Sequence, residues 1–172
     1  MHRNRRPWHD VPMQRVSIAD PSFSYDSGDP DGFRAGMARF GPQVGAVQTG
    51  ASVYELPPGQ AVCPYHYEYG EEEWVLVLQG QPSVRTPEGT EPLEPFELVF
   101  FPMGPAGAHQ IRNDTDATVR VLMWSTVVYP TATAYPDSDK VGVWTGDEAE
   151  DVMVVRSTQV DYFHGEGPTA SS

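Results

Sequence analysis

The stretch that decides the fold is PYHYEYGEEEWVLVLQG, Pro64 to Gly80. In an extended chain, residues i and i+2 face the same way, so His66 and Glu68 share one face while Tyr65, Tyr67 and Tyr69 take the other. Glu73 then opens a second extended run, in phase with Val75 and Val77. Trp74, Leu76 and Leu78 line the opposite face, so this run reads as a strand buried on both sides. A carboxylate at the mouth of such a strand is costly unless it is paired or bound to a cation. A second segment, FPMGPAGAHQIRN from Phe101 to Asn113, again leads one histidine, His109, into a strand. Of the five histidines, His2 and His9 lie in a basic leader and His164 in the polar tail. His66 and His109 are left at strand edges, and the question is whether their two segments meet.

Outward from this stretch the chain reads as short strands and turns. VGAVQTGASVYELPPG is a strand closed by Pro57, Pro58 and Gly59. EEWVLVLQG, PSVRT (with the turn PEGT), FELVFFP, AHQIRN and TVRVLMWSTVVYP continue the series, with RNDTDAT as the last turn. The pattern loosens through TATAYPDSDKVGVWTGDEAED, and VMVVRS restores one more strand. Before the series, DPSFSYDSGDPDG is a turn-rich loop, and DGFRAGMARFG reads as one short helical turn. Sixteen glycines and 17 prolines leave little room for long helices. The expectation is an all-β domain, a sandwich or barrel.

Composition excludes several functions. With 11 basic and 24 acidic side chains the formal charge is −13, which repels nucleic acid and anionic membranes. Arg3, Arg5 and Arg6 form the sole basic cluster and are too few for a nucleic-acid arm. One cysteine, Cys63, permits no internal disulfide and suits a reducing cytoplasm. It sits between an apolar run and a proline, the setting of a buried inert thiol. No apolar run approaches the ~20 residues of a membrane span, and the leader lacks the apolar core of a secretory signal. A cytoplasmic, soluble protein is expected. The single lysine, Lys140, follows Asp139, so there is no phosphate-binding Gly-Lys-Ser/Thr loop. A Gly-x-Ser-x-Gly elbow and a His-Glu-x-x-His helix are also absent.

His66-x-Glu68-x4-Glu73-x6-Gly80, followed by Pro102-x-Gly104 and His109-x3-Asn113, resembles the two motifs of the cupin superfamily. The likeness covers roughly residues 44 to 127. It implies a jelly-roll β-barrel holding a divalent metal inside, manganese, iron, zinc or nickel. Residues 1–40 would form an N-terminal extension or arm and 41–130 the barrel core. Residues 131–165 would be strands and loops completing the barrel, and 166–172 a disordered tail. Carried over residue by residue, the metal ligands are His66, Glu73 and His109, with Glu68 standing where the family has its second histidine. Phe96 stands where the second motif has a glycine, and the spacing from Gly104 to His109 is longer than the family's.

Two imidazoles and a carboxylate make the facial triad of non-haem iron, and a second carboxylate favours manganese or iron over copper. The shared face of His66 and Glu68 favours Glu68 as a fourth ligand; an unligated Glu68 would be a general base. Tyr65, Tyr67 and Phe101 are candidates to line a substrate pocket. The resemblance implies a metal-dependent oxidoreductase, dioxygenase or isomerase acting on a small organic molecule. The alternative is a non-catalytic small-molecule-binding or sensory cupin. Cupins commonly pair, so a homodimer is expected, with no nucleic-acid or membrane partner.

Overall fold

Leu56, Val75, Val77, Val119 and Val121 are sealed from solvent, and they sit on three strands that lie side by side. The computed structural model describes residues 12–167. Its main sheet has the order β1-β2-β9-β4-β7. The strands are β1 (Gly36–Arg39), β2 (Thr49–Leu56), β4 (Glu73–Gln79), β7 (Leu98–Phe101) and β9 (Val119–Thr126). A second sheet, β12-β11-β10-β3, contains β3 (Tyr67–Glu68), β10 (Thr131–Tyr135), β11 (Lys140–Trp144) and β12 (Val152–Val155). The third, β6-β5-β8, is built from β5 (Ser83–Thr86), β6 (Gly89–Pro92) and β8 (Gln110–Arg112). All named pairings are antiparallel. Among the described residues, no helix is long and apolar enough to cross a membrane.

The all-β expectation holds, but the ladders form three sheets and do not close into one barrel. Proline is the physical reason. Pro57, Pro58, Pro82 and Pro102 fall at strand ends and cannot donate to a ladder, so hydrogen bonding stops where the chain turns from one sheet to the next. The core fills the space between sheets: Val84 and Ile111 from the third sheet join Leu56, Val75, Val77, Phe101 and Val121 from the first.

Strand β4 departs from the expectation of two buried faces. Val75 and Val77 are fully buried, whereas Trp74, Leu76 and Leu78 are half-buried. Leu78 and Leu122 instead support a separate cluster of Ala38, Phe40 and Val53, against which Ile18 and Phe23 pack. The outer face of the main sheet is thus covered around Leu78 and Leu122 by the chain's own Ile18 and Phe23, while Leu98 and Phe100 at its β7 edge stay exposed. The tail and leader readings on residues 1–11 and 168–172 lie outside the described residues.

The segment after Asp31 is corrected too. Gly36–Arg39 is a strand, paired with Ser52–Glu55, and not a helical turn. Gly36 permits this, since a Cβ there would lie 2.6 Å from the Tyr25 ring. Tyr25 Oη in turn donates to Glu55 Oε1 at 2.6 Å, and Arg120 holds the other oxygen of Glu55 at 2.6 Å.

Candidate metal centre

His66 and His109 meet. They form an isolated antiparallel bridge between the first motif and the second. Each ring is then fixed by a local backbone acceptor: His66 Nδ1 lies 3.0 Å from the Pro64 carbonyl and His109 Nδ1 lies 2.9 Å from that of Gly107. An Nδ1–H donated to a carbonyl leaves Nε2 as the atom available to a metal. Phe101 stacks flat on His109, with ring centroids 3.7 Å apart and planes 6° from parallel. Gly107 is required for this cradle. A Cβ there would sit 1.8 Å from the Pro102 carbonyl oxygen.

Glu73, at the start of β4, completes the group. Its Oε2 is 3.5 Å from His66 Nε2 and 3.6 Å from His109 Nε2. The three donor atoms all lie within 4.8 Å of one another. Ligands about 2.1 Å from a shared centre stand roughly 3.0–3.4 Å apart, so the spacing suits a first-row divalent ion with little adjustment. His109 Nε2 is also a fully buried polar atom with no hydrogen-bond partner. Buried orphans of this kind are costly, and a cation between the three donors would satisfy it. The residues present therefore fit a metal.

The electrostatics favour a cation at His109 and Glu73, whereas His66 holds a proton that an ion would have to displace. Burial disfavours a charged His66, but the Cys63 sulfur and the Glu73 carboxylate outweigh it and raise the pKa to about 11. Burial, helped by the His66 charge, pushes His109 down to about 4. Burial also opposes ionisation of Glu73, yet the His66 hydrogen bond and the two imidazoles hold it below the usual carboxylate range. An ionised carboxylate thus faces a neutral imidazole lone pair across a buried gap.

Glu68 lies beside this group. Its Oε1 is 3.9 Å from His66 Nε2. The Thr133 hydroxyl lies 2.7 and 2.8 Å from its two oxygens and donates to the carboxylate. Trp144 Nε1 donates to Thr133 Oγ1 at 2.6 Å. Burial lifts the Glu68 pKa to about 7, against the pull of Thr133 and His66. Sequence reasoning missed Thr133 and Trp144. The period-two runs TATAY and KVGVW flanking PDSD were the available hairpin signal.

A cavity of about 410 Å³ opens at Glu73, with Arg39, Ser52, Tyr54 and Ser125 among its lining. The aromatic candidates Tyr65, Tyr67 and Phe101 are not among its lining. Tyr65 and Tyr67 pack with Ala108 and Ala134, and the Arg85 guanidinium covers the Tyr65 ring at 4.0 Å.

A family profile described as the cupin domain matches residues 52–125, the span that carries both histidines and Glu73. The chain contains a cupin domain. Its likeness to solved cupins extends beyond that span. A sugar phosphate isomerase of the cupin superfamily from Silicibacter pomeroyi superposes with a TM-score of 0.74 at 22% identity, over 85% of this chain and 95% of that one. A protein proposed to be a sugar phosphate isomerase, from Acidithiobacillus ferrooxidans, gives 0.71 at 24% identity, over 88% and 94%. A polyketide cyclase from Streptomyces resistomycificus gives 0.55 at 24% identity, over 67% and 80%. No curated protein matches the chain by sequence. At these identities the likeness is one of fold. Within the cupin domain, Phe96 takes the place of a motif glycine and keeps the backbone glycine would adopt, with φ of 70°.

Proposed function

We propose that this cupin is a metal-dependent isomerase acting on a small polar organic molecule. The observation that carries the reading is the convergence of His66 Nε2, His109 Nε2 and Glu73 Oε2, with the buried His109 nitrogen otherwise unpartnered. His66, Glu73 and His109 would hold the ion. A divalent cation there supplies Lewis-acid polarisation of a carbonyl or hydroxyl oxygen. The rest falls to the chain. Glu68, oriented by Thr133 and beside the triad, would take the proton from the hydroxyl-bearing carbon next to the carbonyl and return it to the carbonyl carbon, while the hydroxyl proton passes to the old carbonyl oxygen. Such a transfer needs no external oxidant or reductant. Designations of two cupins with the same fold over most of their length support the isomerase class.

A second reading, an oxygen-using oxidoreductase, is favoured by the donor set itself, since two imidazoles and one carboxylate match the facial triad. Metal analysis of protein purified without chelator, then turnover and oxygen-uptake assays on small sugars, keto acids and phenols, separates these readings. Absence of stoichiometric metal would sink both. Metal without turnover would leave a binding module. A cytoplasmic homodimer completes the proposal. Support for pairing comes from β12, an edge strand whose four apolar residues are all exposed. Light scattering at tens of micromolar tests it, and a monomer there would refute it.

A further inference from the structure

The cavity beside Glu73 contains one cation, and its position follows from strand register. Arg39 on β1 pairs with Ser52, Ser52 with Met123, and Met123 with Val75. Cross-strand partners share a face, so Arg39 stands on the face of Val75 and, two residues on, of Glu73. Ala38, its neighbour in sequence, packs on the opposite face in the outer cluster. Three strand spacings separate Arg39 from the strand that bears Glu73, about 14 Å between backbones before the two side chains reach toward each other.

Of the seven described arginines four pair with a carboxylate, and Arg39, which is exposed, is the arginine that lines this cavity. Arg34, Arg85, Arg112 and Arg120 each meet a carboxylate at 2.5–2.6 Å. Arg39 meets none among the described residues. The cavity's two carboxylates are engaged elsewhere: Glu71 accepts the Val128 N–H at 2.9 Å, and Glu73 faces the histidines. Ser52, cross-strand from Arg39, and Ser125, cross-strand from Glu73, add hydroxyls between them, and Tyr54 lines the same cavity two residues on from Ser52. Arginine so placed is suited to a planar or tetrahedral oxyanion, because its fork of N–H donors matches carboxylate and phosphate geometry.

We propose that Arg39 is the anion-recognition residue of the cavity, selecting substrates with a phosphate or carboxylate group a few bonds from the reacting end. This deepens, and rests on, the reading of the cavity as the substrate site. The polar middle of such a substrate would lie along Ser52, Tyr54 and Ser125. The overall charge of −13 repels anions at long range, so recognition must be local.

The test is calorimetric titration of the metal-loaded protein with ribose 5-phosphate and with ribose, for wild type, Arg39→Gln and Arg39→Lys, with metal content measured in each. Expected are tighter binding of the phosphorylated sugar by wild type and a loss of ~10–100-fold for it in Arg39→Gln. Arg39→Lys should recover part of that loss, ribose binding should stay as it was, and metal content should be the same in all three. Equal binding of the two sugars by wild type, no binding of either, or an Arg39→Gln variant that binds the phosphate as well as wild type would overturn the proposal. Wild-type protein that takes up no divalent metal yet still shows the Arg39-dependent preference would sink the metal reading alone.

Discussion

The N–H of His66 donates to the His109 carbonyl at 3.1 Å, and the N–H of His109 returns the bond to the His66 carbonyl at 2.8 Å. This reciprocal pair joins two motifs that are far apart in sequence. It also fixes their register so that both rings fall on one side, with centroids 4.7 Å apart. A slip of one residue would send one ring to the opposite face. The candidate metal centre is thus a consequence of strand register before it is a matter of side-chain chemistry.

The Gly107 cradle makes the first prediction. Gly107→Ala must displace backbone, since its Cβ would overlap the Pro102 carbonyl, and the Gly107 carbonyl is what orients His109. The variant should lose metal affinity by at least the ~10–100-fold typical of outer-shell changes, as His109→Ala should by direct loss of a ligand. Chelator should lower the melting temperature of wild type and leave both variants little changed, because only a metal-binding native state is stabilised by the ion. A Gly107→Ala protein with full metal content would contradict this.

Phe96 carries the second. Its φ of 70° lies where a Cβ is disfavoured by roughly 1–2 kcal/mol, and its ring is 79% exposed, so little packing offsets the strain. Phe96→Asn, which tolerates that conformation without glycine's freedom when unfolded, should raise stability by up to about 1 kcal/mol. Denaturant midpoints of the two proteins check it; a lower midpoint for the variant would count against strain at this turn.

Much of this was legible in the residues. His66, Glu73 and His109 were legible through the likeness of the paired segments to the two cupin motifs, and period-two alternation along β4 put Glu73 in phase with the buried Val75 and Val77. The hairpin of Thr131–Tyr135 and Lys140–Trp144 was harder to read, because alanine, threonine and glycine give weak hydrophobic contrast. Thr133 and Trp144, which hold Glu68, were lost with it. β1 was hidden for another reason. Its place depends on Tyr25 lying over Gly36, a contact between segments that no local pattern encodes.

The third prediction concerns pH. The Tyr25 hydrogen bond, against some burial and with help from Arg120, holds the Glu55 carboxyl below its usual range. A depressed carboxylate pKa adds stability that is present above the unfolded value near 4.5 and is lost as pH falls through the folded one. On the alkaline side, burial and Glu55 raise Tyr25 to about 12, so its contribution is intact below about pH 10 and fades toward 12. Glu55→Gln should flatten both limbs of the stability profile, and Tyr25→Phe should cost at most about 1 kcal/mol at neutral pH. Thermal melts from pH 3 to 11 measure this. Profiles of identical shape in wild type and Glu55→Gln would show that the network carries no linkage.

Glu68 gives the last prediction. By position it replaces a family ligand, yet its carboxylate is engaged by Thr133 while Glu73 stands between the two imidazoles. A carboxylate with a hydroxyl donated to it and a pKa lifted to about 7 is suited to move a proton near neutral pH. Glu68→Gln keeps the shape and removes the exchangeable proton. It should hold metal as wild type does and lose turnover by ~10²–10⁴-fold. Thr133→Val should act through Glu68, leaving metal content intact and shifting the pH profile of turnover, since one hydrogen bond to the charged form is gone. Its acidic limb should move to higher pH, because losing a donor to the carboxylate raises the pKa further. A ligand would behave otherwise: Glu68→Gln would shed metal tenfold or more, and Glu68→His would keep the ion while shifting its preference toward zinc, nickel or copper. Metal titrations of the three variants, read beside their pH profiles, decide between base and ligand.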